Sequence, residues 1–117
     1  MIRTIQAFGD YYDLFMDTLT VSEKMKVHYI LDMLKIQERV STKFVNHIQD
    51  GLFELRVEYN SNIYRLFFIF DDGQIVVLFN GFQKKTQKVP QKEIAKAFKI
   101  REDYYEYKRT KANAQKH

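Results

Sequence analysis

Residues 51–90 read GLFELRVEYNSNIYRLFFIFDDGQIVVLFNGFQKKTQKVP and contain three strand-like runs joined by short turns. The run 53–59 alternates apolar and charged side chains, which predicts a half-buried strand. The runs 63–70 and 75–79 are apolar on both faces and predict inner strands of a sheet. NSN at 60–62 and DDG at 71–73 lie where the chain must reverse, and Asp-Gly between apolar runs is typical of a hairpin. We therefore predict a three-stranded antiparallel meander.

The segments on either side of the meander predict one α+β domain over residues 1–107. Residues 2–8 favour a short strand, and two amphipathic helices follow, the second opened by the capping-box spacing of Thr20 and Glu23. These helices are expected to form a hairpin that packs on the sheet, and residues 39–50 are interpreted as a connector. Pro90 suits the start of a third helix, over residues 91 to about 106. Residues 108–117, KRTKANAQKH, are polar and cationic and are predicted to be a disordered basic tail.

Composition limits the class of protein. The chain has 117 residues, no cysteine and a net charge of +4, and the four basic side chains after Tyr107 supply all of that excess. Without cysteine there are no disulfides or thiolate metal sites, which agrees with a reducing cytoplasm. No apolar run approaches the roughly 18 residues of a membrane span. We expect a cytoplasmic protein that does not contact a membrane.

Two arginines and a lysine-rich segment are the candidate functional residues. Arg65 interrupts an otherwise apolar strand, and a guanidinium there is unfavourable unless an acid or an anionic ligand meets it. One interpretation is that Arg65 pairs with Glu54 or Glu58 and ties the strands together. The other is that Arg56 and Arg65 lie on an open sheet face and hold a phosphate, to which the planar guanidinium is suited. A basic patch follows the third strand and contains Lys84, Lys85, Lys88 and Lys92. It is either an ordinary solvated loop or, through Lys84 and Lys85, part of the same cationic site as the two arginines.

Other kinds of chemistry find little support. The histidines, His28, His47 and His117, show no metal-ligand spacing, and the four glycines form no phosphate-binding loop. We therefore predict neither a metal nor a cofactor.

The words FELRVEY, IYRLFFIF and FNGFQKKTQKVPQKEIAKAF resemble the RelE/ParE superfamily of toxins from type II toxin–antitoxin systems, most closely its phage-derived HigB-like branch. The resemblance covers residues 2 to about 106. It implies the order β-α-α-β-β-β-(α), with the meander packed against the helical hairpin and a C-terminal helix. It also implies a ribosome-dependent mRNA endonuclease that needs no metal and inhibits translation. The implied partners are mRNA, the ribosome and a cognate helix-turn-helix antitoxin, HigA-like, in a possible hetero-oligomer.

The resemblance places the family's basic site on Arg56, Arg65, Lys84 and Lys85. Arginine stays protonated, so the general base must be another group: Lys84 or Lys85, whose pKa neighbouring cations would lower, or else Glu54 or His47. The wider set expected to contact RNA is Lys88, Lys92, His47 and Tyr104. Some relatives use a C-terminal tyrosine or histidine, for which Tyr104, Tyr105 and Tyr107 are the candidates.

Two alternatives remain open from the sequence. One is a non-enzymatic toxin of the ParE kind, which inhibits DNA gyrase. The other is an inactive module that retains only antitoxin binding.

Overall fold

The computed structural model describes residues 2–84 and 90–114, which form a five-stranded sheet and three helices. In chain order the elements are β1 Thr4–Ala7, α1 Tyr11–Asp17, α2 Val21–Ile36, β2 Val45–Gln49, β3 Leu52–Tyr59, β4 Asn62–Asp71, β5 Ile75–Lys84 and α3 Gln91–Ala114. The α+β class, the meander and the C-terminal helix are confirmed, and the architecture is compatible with a RelE-like fold.

The sheet has the strand order β1-β5-β4-β3-β2. β1 runs parallel to β5, and every other neighbouring pair is antiparallel. The turns of the meander use left-handed backbone, with φ of +49° and +68° at Asn60 and Ser61 and +53° and +75° at Asp72 and Gly73. Two consecutive positive φ values match the right-handed twist of the flanking strands. β4 and β5 are inner strands, as predicted.

The interpretation of residues 39–50 as a connector is wrong for their second half. Residues Val45–Gln49 form the edge strand β2, which pairs antiparallel with β3. The register of that pair shifts between His47 and Gln49, which breaks the alternation of exposed and buried positions. An edge strand that is half exposed and irregular lacks the period-2 pattern by which a strand is recognised.

Two other predicted boundaries need correction. β5 extends beyond Phe79 to Lys84, so the segment FNGFQK is part of the sheet. The predicted disordered tail is also wrong for residues 108–114, because α3 continues to Ala114. Lys108 of this last part binds Asp71 at 2.7 Å, an interaction with a distant strand that local sequence does not reveal.

The sheet separates two apolar layers. α1 and α2 cover one face, with Phe15, Val27, Ile30 and Leu34 buried against Leu66 and Phe68. α3 covers the other face, where Ile94, Ala97, Ile100 and Tyr104 pack against Phe67 and Phe79. The capping box of α2 forms as predicted: the Glu23 backbone N–H donates to the Thr20 side chain, and the Glu23 carboxylate accepts from the Thr20 backbone.

Among the described residues, none of the helices has a stretch long and apolar enough to cross a bilayer.

Candidate functional site

Four charged side chains converge on the sheet face that α3 covers in part. Arg56 of β3 stands opposite Arg65 of β4, and side chains of directly paired residues project from the same face. Glu54 lies two residues before Arg56 and therefore projects from that face as well. In the next pair, Arg65 is opposite Phe82 and Ile63 is opposite Lys84, which brings Lys84 to the same face. The register thus assembles the group that we call the cationic site: Glu54, Arg56, Arg65 and Lys84.

Arg65 and Glu54 form a buried ion pair within this site. The Arg65 Nη1 group donates to Glu54 Oε1, and the two residues are only 7% and 4% exposed. Arg65 Nε and Glu54 Oε2 have no hydrogen-bond partner within the described part of the chain. The interpretation that Arg65 pairs with a glutamate is confirmed, and the expectation that Arg65 lies on an open face is wrong. An apolar strand tolerates this guanidinium because a carboxylate on the neighbouring strand neutralises it.

Arg56 is the accessible arginine of the pair. Its side chain is 28% exposed and lies 3.4 Å from Glu58 Oε2, a carboxylate that is itself more than half exposed. A solvent-exposed ion pair of this kind contributes little to stability, about 0–1 kcal/mol, so the guanidinium can exchange its partner at small cost. Arg56 is therefore available to an incoming anion.

Lys84 closes the cationic site at the end of β5. Its burial, and then the positive charges of Arg65 and Arg56, lower the pKa of the ammonium group, while Glu54 acts in the opposite direction. At a given pH, a larger fraction of Lys84 is consequently in the uncharged amine form than for an ordinary lysine. This is the property that a lysine needs to accept a proton during catalysis.

Asn80 and Phe82 support the site, and the sequence analysis did not single them out. Asn80 is buried, and its Nδ2 group donates to the backbone oxygen of Glu93 at 3.4 Å and to its carboxylate at 3.3 Å. These bonds tie β5 to the first turn of α3. Phe82 lies beside Arg65 in the sheet and contacts Phe67, with ring centroids 5.5 Å apart. The sequence did contain a signal for Asn80, namely an amide within the apolar run VVLFNGF, because a buried amide needs hydrogen-bond partners.

His47 lies on the opposite face of the sheet. It pairs with Phe53, whose side chain joins the layer under α1 and α2, and its ring contacts that of Phe53 at 5.1 Å. Its Nε2 atom accepts a hydrogen bond from the Gly51 backbone at 3.2 Å. His47 is therefore not a member of the cationic site.

Tyr104 is also remote from the cationic site. Its hydroxyl donates to Asp71, and its ring packs against Phe8 and Phe79 under α3. Asp71 is six residues along β4 from Arg65, a separation of about 20 Å at roughly 3.3 Å per residue. Burial and the Asp71 carboxylate raise the pKa of Tyr104 well above its ordinary range. The contacts of Tyr104 with Asp71, Phe8 and Phe79 anchor α3 to the sheet.

The other lysines predicted to contact RNA are Lys85, Lys88 and Lys92, and the structure assigns none of them to the cationic site. Lys92 lies exposed in the first turn of α3 and forms no hydrogen bond or ion pair with the described members of the cationic site. Lys85 and Lys88 lie outside the described residues. Within residues 2–84 and 90–114, no group of three or more His, Asp or Glu side chains is arranged to hold a metal ion.

The arrangement can attract and hold an anion and can exchange a proton. The exposed guanidinium of Arg56 offers charge-assisted hydrogen bonds, the Glu54–Arg65 pair fixes the electrostatic environment, and Lys84 has an amine of lowered pKa. A phosphodiester is an anion of matching chemistry.

Comparison with known proteins gives a family. The family model described as Phage derived protein Gp49-like (DUF891) matches residues 15–102, which include α2, β2 to β5 and the first half of α3. No curated protein matches the chain. The family match is consistent with a toxin-like protein of toxin–antitoxin systems. Because the match spans most of the chain, the protein belongs to the Gp49-like family of phage-derived proteins.

Proposed function

We propose that this protein is the toxin of a type II toxin–antitoxin system, of the HigB-like branch, and that it cleaves mRNA on the ribosome. The observation that carries the proposal is the convergence of Arg56, Arg65, Glu54 and Lys84 on one sheet face, with the pKa of Lys84 lowered by its surroundings. Membership of the Gp49-like family supports the toxin class.

In the proposed reaction, the 2′-hydroxyl of one nucleotide attacks the adjacent phosphorus. The O2′–P bond forms and the P–O5′ bond breaks, which yields a 2′,3′-cyclic phosphate and a 5′-hydroxyl. The proton of the 2′-hydroxyl passes to the neutral amine of Lys84, and the leaving O5′ takes a proton from a second, protonated group. Lys85 and Lys88 follow Lys84 in the sequence, and we propose them as the acids because each carries an ammonium group that can donate a proton.

The two arginines have different roles in this proposal. Arg56 contacts the phosphate and stabilises the charge that develops on its oxygens, an effect worth about 10²–10³ in rate for a single donor in other enzymes. Arg65 is held by Glu54 and acts through its field, which helps to keep the Lys84 amine uncharged. Arg65 and Glu54 are thus positioning residues.

The proposed partners follow from the same surface. An antitoxin segment with acidic side chains would cover the exposed cations, bury them and block the approach of RNA. A cognate helix-turn-helix antitoxin and a toxin–antitoxin hetero-oligomer are the expected assembly, and the ribosome is expected to align the mRNA.

A second candidate function is supported by the burial of Arg65. A guanidinium that is 7% exposed and bonded to Glu54 can be purely structural. The protein would then be a non-enzymatic toxin that inhibits DNA gyrase, or a module that only binds an antitoxin.

Expression in bacteria separates these functions. The chain is induced alone, growth is followed, and mRNA 5′ ends are mapped by primer extension, with Lys84→Met as the matched inactive variant. Growth arrest with new mRNA ends, both lost in the variant, is the expected result. Arrest without new ends and with inhibited gyrase would establish the ParE-like function, and normal growth would establish the inactive module.

A further inference from the structure

A cationic cavity lies beside the cationic site, at the sheet edge where α2 meets β3. It has a volume of about 260 Å³ and is lined by Lys26, Lys43, Phe44, Arg56 and Glu58. Lys26 comes from α2, Lys43 and Phe44 directly precede β2, and the other two come from β3. We call it the edge cavity. Three separate segments of the chain therefore supply its walls.

The edge cavity has an excess of positive charge. Its three cations face one carboxylate, and that carboxylate, Glu58, already pairs with Arg56 at 3.4 Å. Lys26 and Lys43 form no ion pair with any residue that the structure describes. Three cations around one small cavity repel one another, so an anion that enters it relieves this repulsion.

Aromatic rings accompany both lysines. Lys43 Nζ lies 5.7 Å from the ring centroid of Phe44, and Lys26 Nζ lies 5.6 Å from that of Tyr29, which is 60% exposed. Phe44 is partly buried against the core, and it also lines the edge cavity. Cations beside aromatic rings suit single-stranded nucleic acid, because the cations hold phosphates while the rings stack on bases.

Arg56 connects the two places. Its guanidinium belongs to the cationic site through its register with Arg65, and it also lines the edge cavity. A polynucleotide whose scissile phosphate lies between Arg56 and Lys84 would therefore continue past Arg56 into the edge cavity.

We infer that the edge cavity is a subsite for single-stranded RNA, in which Lys26 and Lys43 bind backbone phosphate next to the cleaved linkage and Phe44 stacks on a base. This inference rests on the proposed function, because it extends the path of the same RNA. Lys26 and Lys43 determine affinity and position of the strand, and neither takes part in the chemical step.

The test uses the full chain and 2′-O-methyl RNA, which cannot be cleaved by attack of a 2′-hydroxyl. Binding of a fluorescent dinucleotide and a fluorescent nonanucleotide is measured by anisotropy at several salt concentrations, for the wild-type protein and for the double variant Lys26→Ala/Lys43→Ala. The matched control is Lys24→Ala/Lys35→Ala, which removes the same charge from positions about 160° and 180° around α2 from Lys26. Circular dichroism checks that each variant is folded.

We expect the Lys26/Lys43 variant to bind the nonanucleotide at least about tenfold more weakly and the dinucleotide unchanged, with the control equal to wild type. Loss of two phosphate contacts should also reduce the slope of log K against log salt by about 1.4, at roughly 0.7 per contact on a single strand. Phe44→Leu should weaken the nonanucleotide by about fivefold or more without changing that slope.

Equal losses in the control variant, or equal losses for both oligonucleotides, would overturn the subsite, as would a wild-type protein that does not bind the nonanucleotide. The proposed function is judged separately by the mRNA ends. New ends produced by a protein with no such length-dependent binding would leave the function standing and remove the subsite.

Discussion

Arg56 and Arg65 occupy directly opposed positions on β3 and β4, yet only one of the two guanidinium groups is accessible. Arg65 is buried against Glu54, whereas Arg56 is 28% exposed and pairs with the exposed Glu58. Two like charges placed opposite each other are unfavourable unless each has an acid, and here Glu54 and Glu58 flank Arg56 on its own strand. Because the two arginines differ in burial, substitution of Arg56 should mainly affect cleavage, whereas substitution of Arg65 should mainly affect stability.

Arg56→Ala should remove cleavage while the fold stays intact. Its surface ion pair contributes about 0–1 kcal/mol to stability, and a phosphate contact that strengthens in the transition state contributes about 10²–10³ in rate. Urea denaturation and cleavage of mRNA on ribosomes measure the two quantities, with the exposed Arg39→Ala as a control of equal charge. A variant that is stable and fully active would exclude Arg56 from catalysis.

Arg65→Met should destabilise the protein so strongly that a loss of activity in this variant would reflect unfolding and not catalysis. It leaves Glu54 buried without its partner, at a cost of about 3–5 kcal/mol. The double variant Glu54→Leu/Arg65→Met replaces the whole pair by apolar side chains and should recover most of that stability in urea denaturation. If the double variant also cleaves RNA normally, the pair is purely structural; we expect a rate below wild type, but by less than the loss in Arg56→Ala, because Arg65 does not contact the phosphate and acts only through the pKa of Lys84.

Lys84 should give the reaction a pH dependence. Burial and the neighbouring arginines lower its pKa, so the rate should rise with pH as the ammonium group loses its proton and level off below about 10.5. Lys84→Arg should be inactive, since a guanidinium cannot become neutral. Arg56→Met removes one of the charges that lower the pKa, so the residual activity should rise at higher pH than in the wild-type protein. Single-turnover rates across pH measure these shifts, and a profile unchanged in Arg56→Met would contradict the coupling.

Much of the fold could be predicted from the sequence because its signals are local. The alternation in FELRVEY, the apolar runs and the Thr20–Glu23 capping box are all set by residues within a few positions of one another. The edge strand β2 was not predicted, although Asp50 and Gly51, with φ of +48° and +79°, form a hairpin turn of the Asp-Gly type. The irregular pairing at His47 concealed the strand that precedes this turn.

The candidate site could be predicted only as a set of residue types. The sequence indicated that Arg65 needs an acid or a ligand, but both outcomes satisfy the same pattern, and only the register of β3 and β4 brings Glu54 within reach. The remote positions of His47 and Tyr104 depend likewise on the face and the end of the sheet. The anchoring of the C-terminal part of α3 by Asp71 joins residues 37 positions apart, which no local pattern reveals.

Gly81→Ala should destabilise the protein through a single contact. A Cβ atom at this position would lie 2.5–2.8 Å from three ring atoms of the buried Phe15, so α1 or β5 must move, at a cost of about 1–3 kcal/mol. Phe15→Ala in the same chain removes those three ring atoms, so the two changes together should destabilise by less than their sum. Gly73→Ala is the contrasting control, because it meets no atom within 4 Å and tests only the strain of its φ of +75°. Additive effects of Gly81→Ala and Phe15→Ala in thermal unfolding would contradict the contact.

Asp71 should make stability depend on pH below about 4. Hydrogen bonds from Lys108 and then from Tyr104 lower the pKa of this carboxyl group from its ordinary value. A carboxyl group whose pKa is lower in the folded state than in the unfolded state stabilises the fold at pH values above its unfolded-state pKa. That contribution is lost as the pH falls through the folded-state pKa. Asp71→Asn should therefore cost about 1–2 kcal/mol at pH 6, and its difference from wild type should shrink at pH 3.

Urea denaturation at both pH values measures this difference, and deletion of residues 108–117 provides a second probe. The deletion removes Lys108 but keeps Tyr104, so it should reproduce part of the Asp71→Asn effect at pH 6 and show the same decrease at pH 3. Glu106→Gln, which breaks the exposed pair with Arg109 in the same helix, should change stability by less than about 0.5 kcal/mol at either pH. If the deletion left stability at pH 6 unchanged, the last turns of α3 would contribute nothing to the fold, and the ion pair of Lys108 with Asp71 would be a surface contact without energetic weight.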